Sequence, residues 1–431
     1  MSKQFVPVEW CRNTTIYEVN LRQYTEEGNF AAFREHLPRL RDMGIETLWF
    51  MPITHISEKG RKGSLGSYYA CSSYRRINPE FGTFTEFKDL VAEAHQLGFK
   101  VILDWVANHT GCDHEWTLQH PDFYTRNEAG EFYDKHGWED VIDLDYEHRG
   151  LRKEMIDAMQ FWVEECDIDG FRCDMAMLTP ADFWYEARTC LESIKHLFWL
   201  AELDPLDNSA YMEVFDAAYT WRWMNATRIF KSDGAFNIYP LREQLQSYKD
   251  GLPAGAMGAW FTSNHDENSW NGTEYEKYAE MALPLAVFSA TWNGVPLLYS
   301  GQEIPNHKRL AFFDKDHVEW SHGTALHGFY SVLFQLRASH PGFSTSWETN
   351  SCTIIPNSVE HHVLSFARIH GGEAAFIAIN FSYHLLPEVE IELGECSTGV
   401  KELFSGKKIE SVSRFIYSSM EPWSYRIWIK Q

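Results

Sequence analysis

Thr83-Phe-Thr-Glu-Phe-Lys-Asp-Leu-Val-Ala-Glu-Ala-His-Gln-Leu-Gly-Phe-Lys-Val-Ile-Leu-Asp104 holds one complete helix-to-strand unit. Thr83 and Glu86 stand in the Thr-x-x-Glu relation of a capping box, in which each side chain satisfies a backbone N–H that the first helical turn leaves open. Phe87, Leu90, Val91 and Ala94 then recur at helical spacing, so the helix has one apolar face. Gly98 falls where a left-handed residue ends such a helix. Lys100-Val-Ile-Leu-Asp104 follows at once, and a continuous apolar run of this length reads as a strand buried on both faces, as in a parallel sheet.

The same alternation extends outward in both directions, from about residue 15 to residue 340. Strand-length apolar runs occur at Thr15–Asn20, Ile45–Met51, Lys100–Asp104, Gly170–Asp174, Phe198–Glu202, Val214–Thr220, Ala259–Ser263 and Pro296–Ser300. Eight strands alternating with helices predict an α/β chain folded as a (β/α)8 TIM barrel. Thr179 as N-cap with Pro180 at the first helical position marks the helix after the fourth strand. Between residues 111 and 150 the helical pattern lapses into a stretch rich in His, Asp, Tyr and Gly, too long for an ordinary loop, which predicts a short inserted subdomain after the third strand. Beyond residue 340 short strands with turns between them predict a C-terminal antiparallel β domain of the sandwich type. The expected organisation is a barrel over 1–110 and 151–340, an insertion over 111–150 and the β domain over 341–431.

The totals narrow the partners. A formal net charge of −23 over 431 residues opposes nucleic acid, anionic membranes and acidic polysaccharides, and favours a neutral ligand. The 17 Trp, 20 Tyr and 29 Phe fit either a thick aromatic core or a cleft in which sugar rings stack on aromatic faces. Eight cysteines form no C-x-x-C pair, so neither a zinc site nor a disulfide framework is expected. The first ten residues carry no signal-like apolar run and no stretch reaches membrane-span length, so the expected location is the cytoplasm.

Polar residues gather where the strands end, which is where this architecture keeps its chemistry. The third strand runs into Asp104-Trp-Val-Ala-Asn108-His109, the fourth ends Arg172-Cys-Asp174, the fifth ends Ala-Glu202, and the seventh continues into Asn264-His265-Asp266. Retaining glycoside hydrolysis needs one carboxylate that attacks the anomeric carbon and one carboxyl that first gives a proton and then takes one from water. Arg172, two residues before Asp174 on the same strand face, is placed to keep that carboxylate ionised.

With these motifs in order, the chain resembles the α-amylase family of glycoside hydrolases (family 13) over nearly its full length. The family stretch Asp-x-Val-x-Asn-His is matched by Asp104 to His109, Gly-Phe-Arg-x-Asp by Gly170 to Asp174, and Asn-His-Asp by Asn264 to Asp266. The resemblance implies Asp174 as nucleophile, Glu202 as acid/base and Asp266 as the third carboxylate. It further implies Tyr69, Asp104, His109, Arg172 and His265 as substrate-binding residues, Tyr69 lying within Gly66-Ser-Tyr-Tyr69-Ala. The expected substrate is an α-glucan or oligosaccharide with α-1,4 or α-1,6 bonds, and no cofactor is required.

Two features depart from the family pattern or depend on it. After the nucleophile many relatives carry Lys and His, whereas this chain has Met175-Ala-Met177-Leu178, which leaves exo-action or short substrates open. The family's structural calcium would fall on Asn108 and Asp143, hard oxygen ligands that suit that ion. A glucosyltransferase on the same scaffold would use the same residues, with a sugar hydroxyl in place of water. A non-catalytic carbohydrate-binding member is the other class, and the completeness of the polar set speaks against it.

Overall fold

In the computed structural model, residues 5–344, 348, 351–394, 399–410, 412 and 414–431 are described, which leaves Cys396 outside. Eight parallel strands close into a barrel: β1 (Ile16–Val19), β2 (Thr47–Phe50), β3 (Lys100–Trp105), β4 (Gly170–Cys173), β5 (Phe198–Ala201), β6 (Ala217–Tyr219), β7 (Met257–Trp260) and β8 (Val295–Tyr299). Each pairs with its chain neighbours, and β8 returns to β1 through Ile16 opposite Leu297. All eight expected strands are present, most of them shorter than expected; Lys100–Trp105 runs one residue longer, and Met257–Trp260 and Val295–Tyr299 begin earlier than expected.

The Thr83–Asp104 unit folds as its residues dictate. The capping box is formed, with Thr83 accepting from the Glu86 N–H and Glu86 accepting from the Thr83 N–H at 2.7 Å. The helix Phe84–Gln96 buries Phe87, Leu90, Val91 and Ala94. Burying each of the three larger side chains contributes about 1.5–3 kcal/mol before chain entropy is subtracted. Gly98 follows with φ 86°, a left-handed conformation that a side chain disfavours. Gly170 has a different reason: a Cβ there would lie 2.1 Å from the Phe198 carbonyl oxygen, so its absence lets β4 and β5 pair closely.

The interior of the barrel is filled by alternate strand residues, among them Ile16, Trp49, Ile102, Phe198, Leu200 and Tyr219. Two charged side chains, Glu18 and Arg172, are fully buried there as well. They sit beneath the C-terminal mouth and shape the site described below.

The helix after β4 begins one residue later than expected. Pro180 is the N-cap, with φ −57° and ψ 138°, the helix runs Ala181–Glu192, and no side chain caps it. Thr179 therefore lies just outside, because Pro180 keeps extended rather than helical backbone and still marks the start.

Residues 111–150 hold short elements. His109–Gly111 pairs antiparallel with Val141–Asp143, and between them lie a single helical turn at Trp116–Gln119 and a 3-10 turn at Pro121–Phe123. The C-terminal part is all antiparallel: β9 (Cys352–Ile354), β10 (Val363–His370), β11 (Glu373–Asn380), β12 (Leu386–Glu392), β13 (Val400–Glu402), β14 (Lys408–Ile409), β15 (Phe415–Met420) and β16 (Tyr425–Lys430). Six strands form one sheet in the order β9-β10-β11-β16-β13-β14, and β12 pairs with β15 in a second. Val363, Phe376 and Trp428 of the first sheet share a core with Val389, Ile391 and Ile416 of the second. The short strands β13 and β14 were not expected from the sequence.

Cys71, Cys112, Cys166, Cys173, Cys190 and Cys352 are free thiols. Among the described residues, no helix is long and apolar enough to cross a membrane.

Candidate active site

A cleft of about 420 Å³ opens at the C-terminal mouth of the barrel, with Asp174, Glu202 and Asp266 in its lining. Asp174 follows β4, Glu202 follows β5 and Asp266 lies beyond β7. Arg172 joins the first two from behind. Its Nη1 donates to Asp174 Oδ1 at 2.8 Å and its Nη2 lies 2.7 Å from Glu202 Oε2. Nη1 also donates to both oxygens of Asp104, at 2.9 and 3.1 Å.

One guanidinium thus serves three carboxyl groups, which cannot all be ionised cheaply in a buried place. Burial pushes Glu202 up to about 7, with Arg172 opposing and the Asp174 and Asp266 charges adding to the rise. Asp174 is pushed up to about 6 by burial, with Arg172 again opposing. Asp104 rises to about 6 for the same leading reason. Glu202 therefore holds its proton more firmly than Asp174.

Asp266 differs from both. Its side chain is 40% exposed, and although burial still pushes its pKa up, the His265 cation beside it and Arg172 hold it below the usual carboxylate range. It faces the cleft as an ionised group.

Beneath the floor runs a continuous chain of hydrogen bonds. Glu18 Oε1 lies 2.5 Å from His265 Nδ1, His265 Nε2 lies 2.7 Å from the Tyr69 hydroxyl, and that hydroxyl donates to Asp104 Oδ2 at 3.1 Å. Burial opposes charge on His265, but the Asp266 and Glu18 carboxylates hold it protonated, well above its ordinary pKa. Trp49 donates its indole N–H to Asp104 Oδ2 at 3.2 Å.

All the sequence-derived carboxylates are brought together, but the neighbours divide into two layers. Tyr69 and His109 line the cleft. His109 is neutral, its pKa lowered to about 4 by burial despite Asp143 and Asp134. Asp104, Arg172 and His265 do not line the cleft. Both ring nitrogens of His265 and both oxygens of Asp104 are occupied within the protein, so these three fix the carboxylates and Tyr69 from below.

Asn108 and Asp143, both buried, face one another, with the Asn108 amide 3.4 Å from Asp143 Oδ1. Turned over, that amide would present its oxygen at the same spacing, which suits two ligands on one hard cation with metal–oxygen distances of about 2.4 Å. The other Asp143 oxygen accepts from the Lys135 N–H.

Several cleft residues had no signal in the sequence motifs. Trp138 comes from the 111–150 segment, Trp270 from a π-helical turn at Glu267–Asn271, and Phe312 and Phe313 from the long loop after β8. Phe312 stacks on Tyr69 with centroids 6.4 Å apart and lies 5.3 Å from Trp270. Lys62 pairs with Asp140 at 3.0 Å, joining the loop after β2 to the 111–150 segment at the rim. Met175, directly after Asp174, has φ 38° and donates its N–H to Glu202 Oε2 at 2.9 Å. Glu303, four residues beyond β8, is buried and engaged by Tyr17 at 2.8 Å and Arg39 at 2.9 Å, away from the cleft lining.

A closed (β/α)8 barrel with carboxylates at the ends of its fourth, fifth and seventh strands is the architecture of a barrel hydrolase class. The chain belongs to the alpha-amylase family: the Alpha amylase, catalytic domain model matches residues 13–123 and 117–326. It is 27% identical to α-amylase MalA of Haloarcula japonica over 390 residues, covering 86% of this chain and 56% of that protein. It is 25% identical to α-amylase 3 of Dictyoglomus thermophilum, covering 68% of this chain and 64% of that one. The chain therefore spans less than two thirds of the length of these curated relatives. Among solved structures, a noncanonic maltogenic α-amylase from Thermotoga neapolitana superposes with a TM-score of 0.86 at 29% identity, covering 97% of this chain and 99% of that one. An α-amylase from Lactobacillus plantarum gives 0.85 at 28% identity, covering 97% and 100%.

Proposed function

We propose that this protein is a retaining glycoside hydrolase that cleaves α-glucosidic bonds in malto-oligosaccharides or starch-like glucans by double displacement. The observation that carries the reading is the sharing of Arg172 between Asp174 and Glu202, at 2.8 and 2.7 Å, on the floor of one cleft. Two carboxyls held by one guanidinium favour the close spacing of about 5–5.5 Å used by retaining enzymes over the wider spacing that admits a water between them.

In the first step the free oxygen of Asp174 attacks the anomeric carbon. The glycosidic bond breaks and its oxygen takes the proton from Glu202. In the second step Glu202, now a carboxylate, removes a proton from water. The hydroxide attacks the same carbon, the Asp174–carbon bond breaks, and the α-configuration is restored. Asp266, ionised and facing the cleft, is the group that holds sugar hydroxyls, and Tyr69 offers a ring face to the sugar. These steps use protein groups alone. Calcium held by Asn108 and Asp143 would fix the 111–150 segment against the third strand, and that role predicts a rise in Tm on adding calcium that Asp143→Asn removes.

The relatives' names span α-amylase, cyclomaltodextrinase and oligo-1,6-glucosidase, and this spread supports a reading that includes both α-1,4 and α-1,6 bonds. Transfer to a sugar acceptor is the second reading, favoured by the aromatic walls at Trp138, Trp270 and Phe312, which suit a sugar ring beside the intermediate. Proton NMR of the first product from maltotriose tests the mechanism. Release of an α-anomer is expected, and initial release of a β-anomer would overturn it. The same spectra taken at high maltose separate hydrolysis from transfer.

A further inference from the structure

A second cleft lies elsewhere in the molecule. It measures about 780 Å³ and lies between the barrel and the C-terminal sheets, and none of its residues lines the catalytic cleft. Glu280 and Leu283 form the barrel side, the latter on the helix Ala282–Thr291. The other side is built by β15, β16 and the turn after β13.

Four rings reach this cleft without being fully buried: Phe404, Tyr417, Trp423 and Tyr425. Phe404 is 38% exposed and Tyr417 57%, in a chain whose other large aromatics are mostly interior. Trp423 is held at φ 54°, a left-handed conformation that a bulky residue adopts at a cost. Its ring is fixed there by Lys231, with Nζ 4.8 Å from the centroid, and by Phe236 at 5.0 Å. A strained backbone, braced on two sides, presents an indole to a cleft. Beside it the Ser424 hydroxyl is buried and makes no hydrogen bond within the protein.

Charges in the lining balance, Lys407 and Arg426 against Glu280 and Glu402, so an ionic ligand gains nothing from the site as a whole. Ring faces next to hydroxyl and charged hydrogen-bonding groups match a ligand that is neutral, with flat apolar patches and many hydroxyls. That is the surface of a sugar chain. We propose that this junction cleft is a second α-glucan site, separate from the catalytic cleft, where the chain of a long substrate is held. The choice of α-glucan over other neutral sugars rests on the function proposed above.

Binding and catalysis are tested apart. In a Glu202→Gln background, which leaves long substrates uncut, affinity for amylopectin is measured by retardation in native gels, with Tyr417→Ala and Trp423→Ala each added. Loss of one stacking ring should weaken retardation about fivefold to tenfold. In the otherwise native enzyme the same substitutions should leave kcat/KM on maltotriose within about twofold, since a trisaccharide uses the catalytic cleft only. Unchanged retardation in both variants overturns the junction site, whatever the catalytic result. Equal losses on amylopectin and maltotriose also overturn it, because that pattern marks a general folding defect. A native enzyme that cuts no α-glucan while its retardation depends on Tyr417 and Trp423 overturns the proposed function and leaves the junction site standing.

Discussion

Glu202 Oε2 accepts the Met175 N–H at 2.9 Å and is the same oxygen that lies 2.7 Å from Arg172 Nη2. Both contacts favour negative charge on that atom. The other oxygen, Oε1, is therefore the one that holds a proton, and in the proposed reaction it is the one that gives this proton to the glycosidic oxygen, from a carboxyl group already oriented before substrate arrives.

The pH dependence of kcat/KM should be a narrow bell. Asp174, near 6, must be ionised to attack, so activity falls as pH drops through about 6. Glu202, near 7, must be protonated, so activity falls as pH rises through about 7. Initial rates on maltotriose between pH 4 and 9 measure this, and a plateau extending past pH 8.5 would contradict the assigned acid.

Replacing either group should separate the two roles. Asp174→Asn is expected to lose about 10³-fold or more in kcat with an unchanged circular dichroism spectrum, because an amide forms no ester with the anomeric carbon. Glu202→Gln should be far milder on an aryl glucoside whose phenol leaves without a proton, and azide should accelerate its second step. Equal losses for Glu202→Gln on maltose and on the aryl glucoside would remove Glu202 from proton transfer.

The site should cost stability above neutral pH. Burial raises Glu202 from 4.5 to about 7 in the folded protein. Between those values the folded state holds a proton that the unfolded chain has released, so stability falls as pH rises through the window. Glu202→Gln carries no charge to desolvate, and its Tm should exceed that of the native protein by a few degrees at pH 8, with the gap closing near pH 4.5. Calorimetry at the two pH values decides it; equal Tm at pH 8 would show that Arg172 offsets the burial in full.

Trp270 is 52% exposed, so truncation leaves little cavity. Trp270→Ala should raise KM on maltotriose by about fivefold with a smaller change in kcat, as expected for a residue that binds ground and transition states alike. A fall in kcat alone would instead implicate its influence on Asp266, whose pKa it helps to lower.

The barrel strands were legible because strands buried on both faces leave uninterrupted apolar runs, as at Val101-Ile-Leu103, and Asp174 and Glu202 were legible because each stands directly beyond such a run. Glu18 was not singled out. It lies inside β1 between Tyr17 and Val19, and the charged residue in a fully buried strand was the available sign that something must neutralise it, which proves to be His265. Trp138, Trp270 and Phe312 gave no sign, since their loops lack periodicity and only the folded backbone brings them to one cleft. The layering of Asp104, Arg172 and His265 beneath the floor was equally hidden, because spacing along the chain says which residues meet and not which of them reaches solvent. β13 and β14, at three and two residues, are too short for any alternation to register.

The aromatic walls and the carboxylate floor belong to different parts of the chain. Asp174 and Glu202 stand directly beyond barrel strands, whereas Trp138, Trp270 and Phe312 ride on three separate connections. Insertions, deletions or exchanges in any one connection can reshape the cleft walls while Asp174 and Glu202 keep their spacing. Under the proposed function, changes at the rim alone can redirect such a molecule to a different glucan with its chemistry left intact.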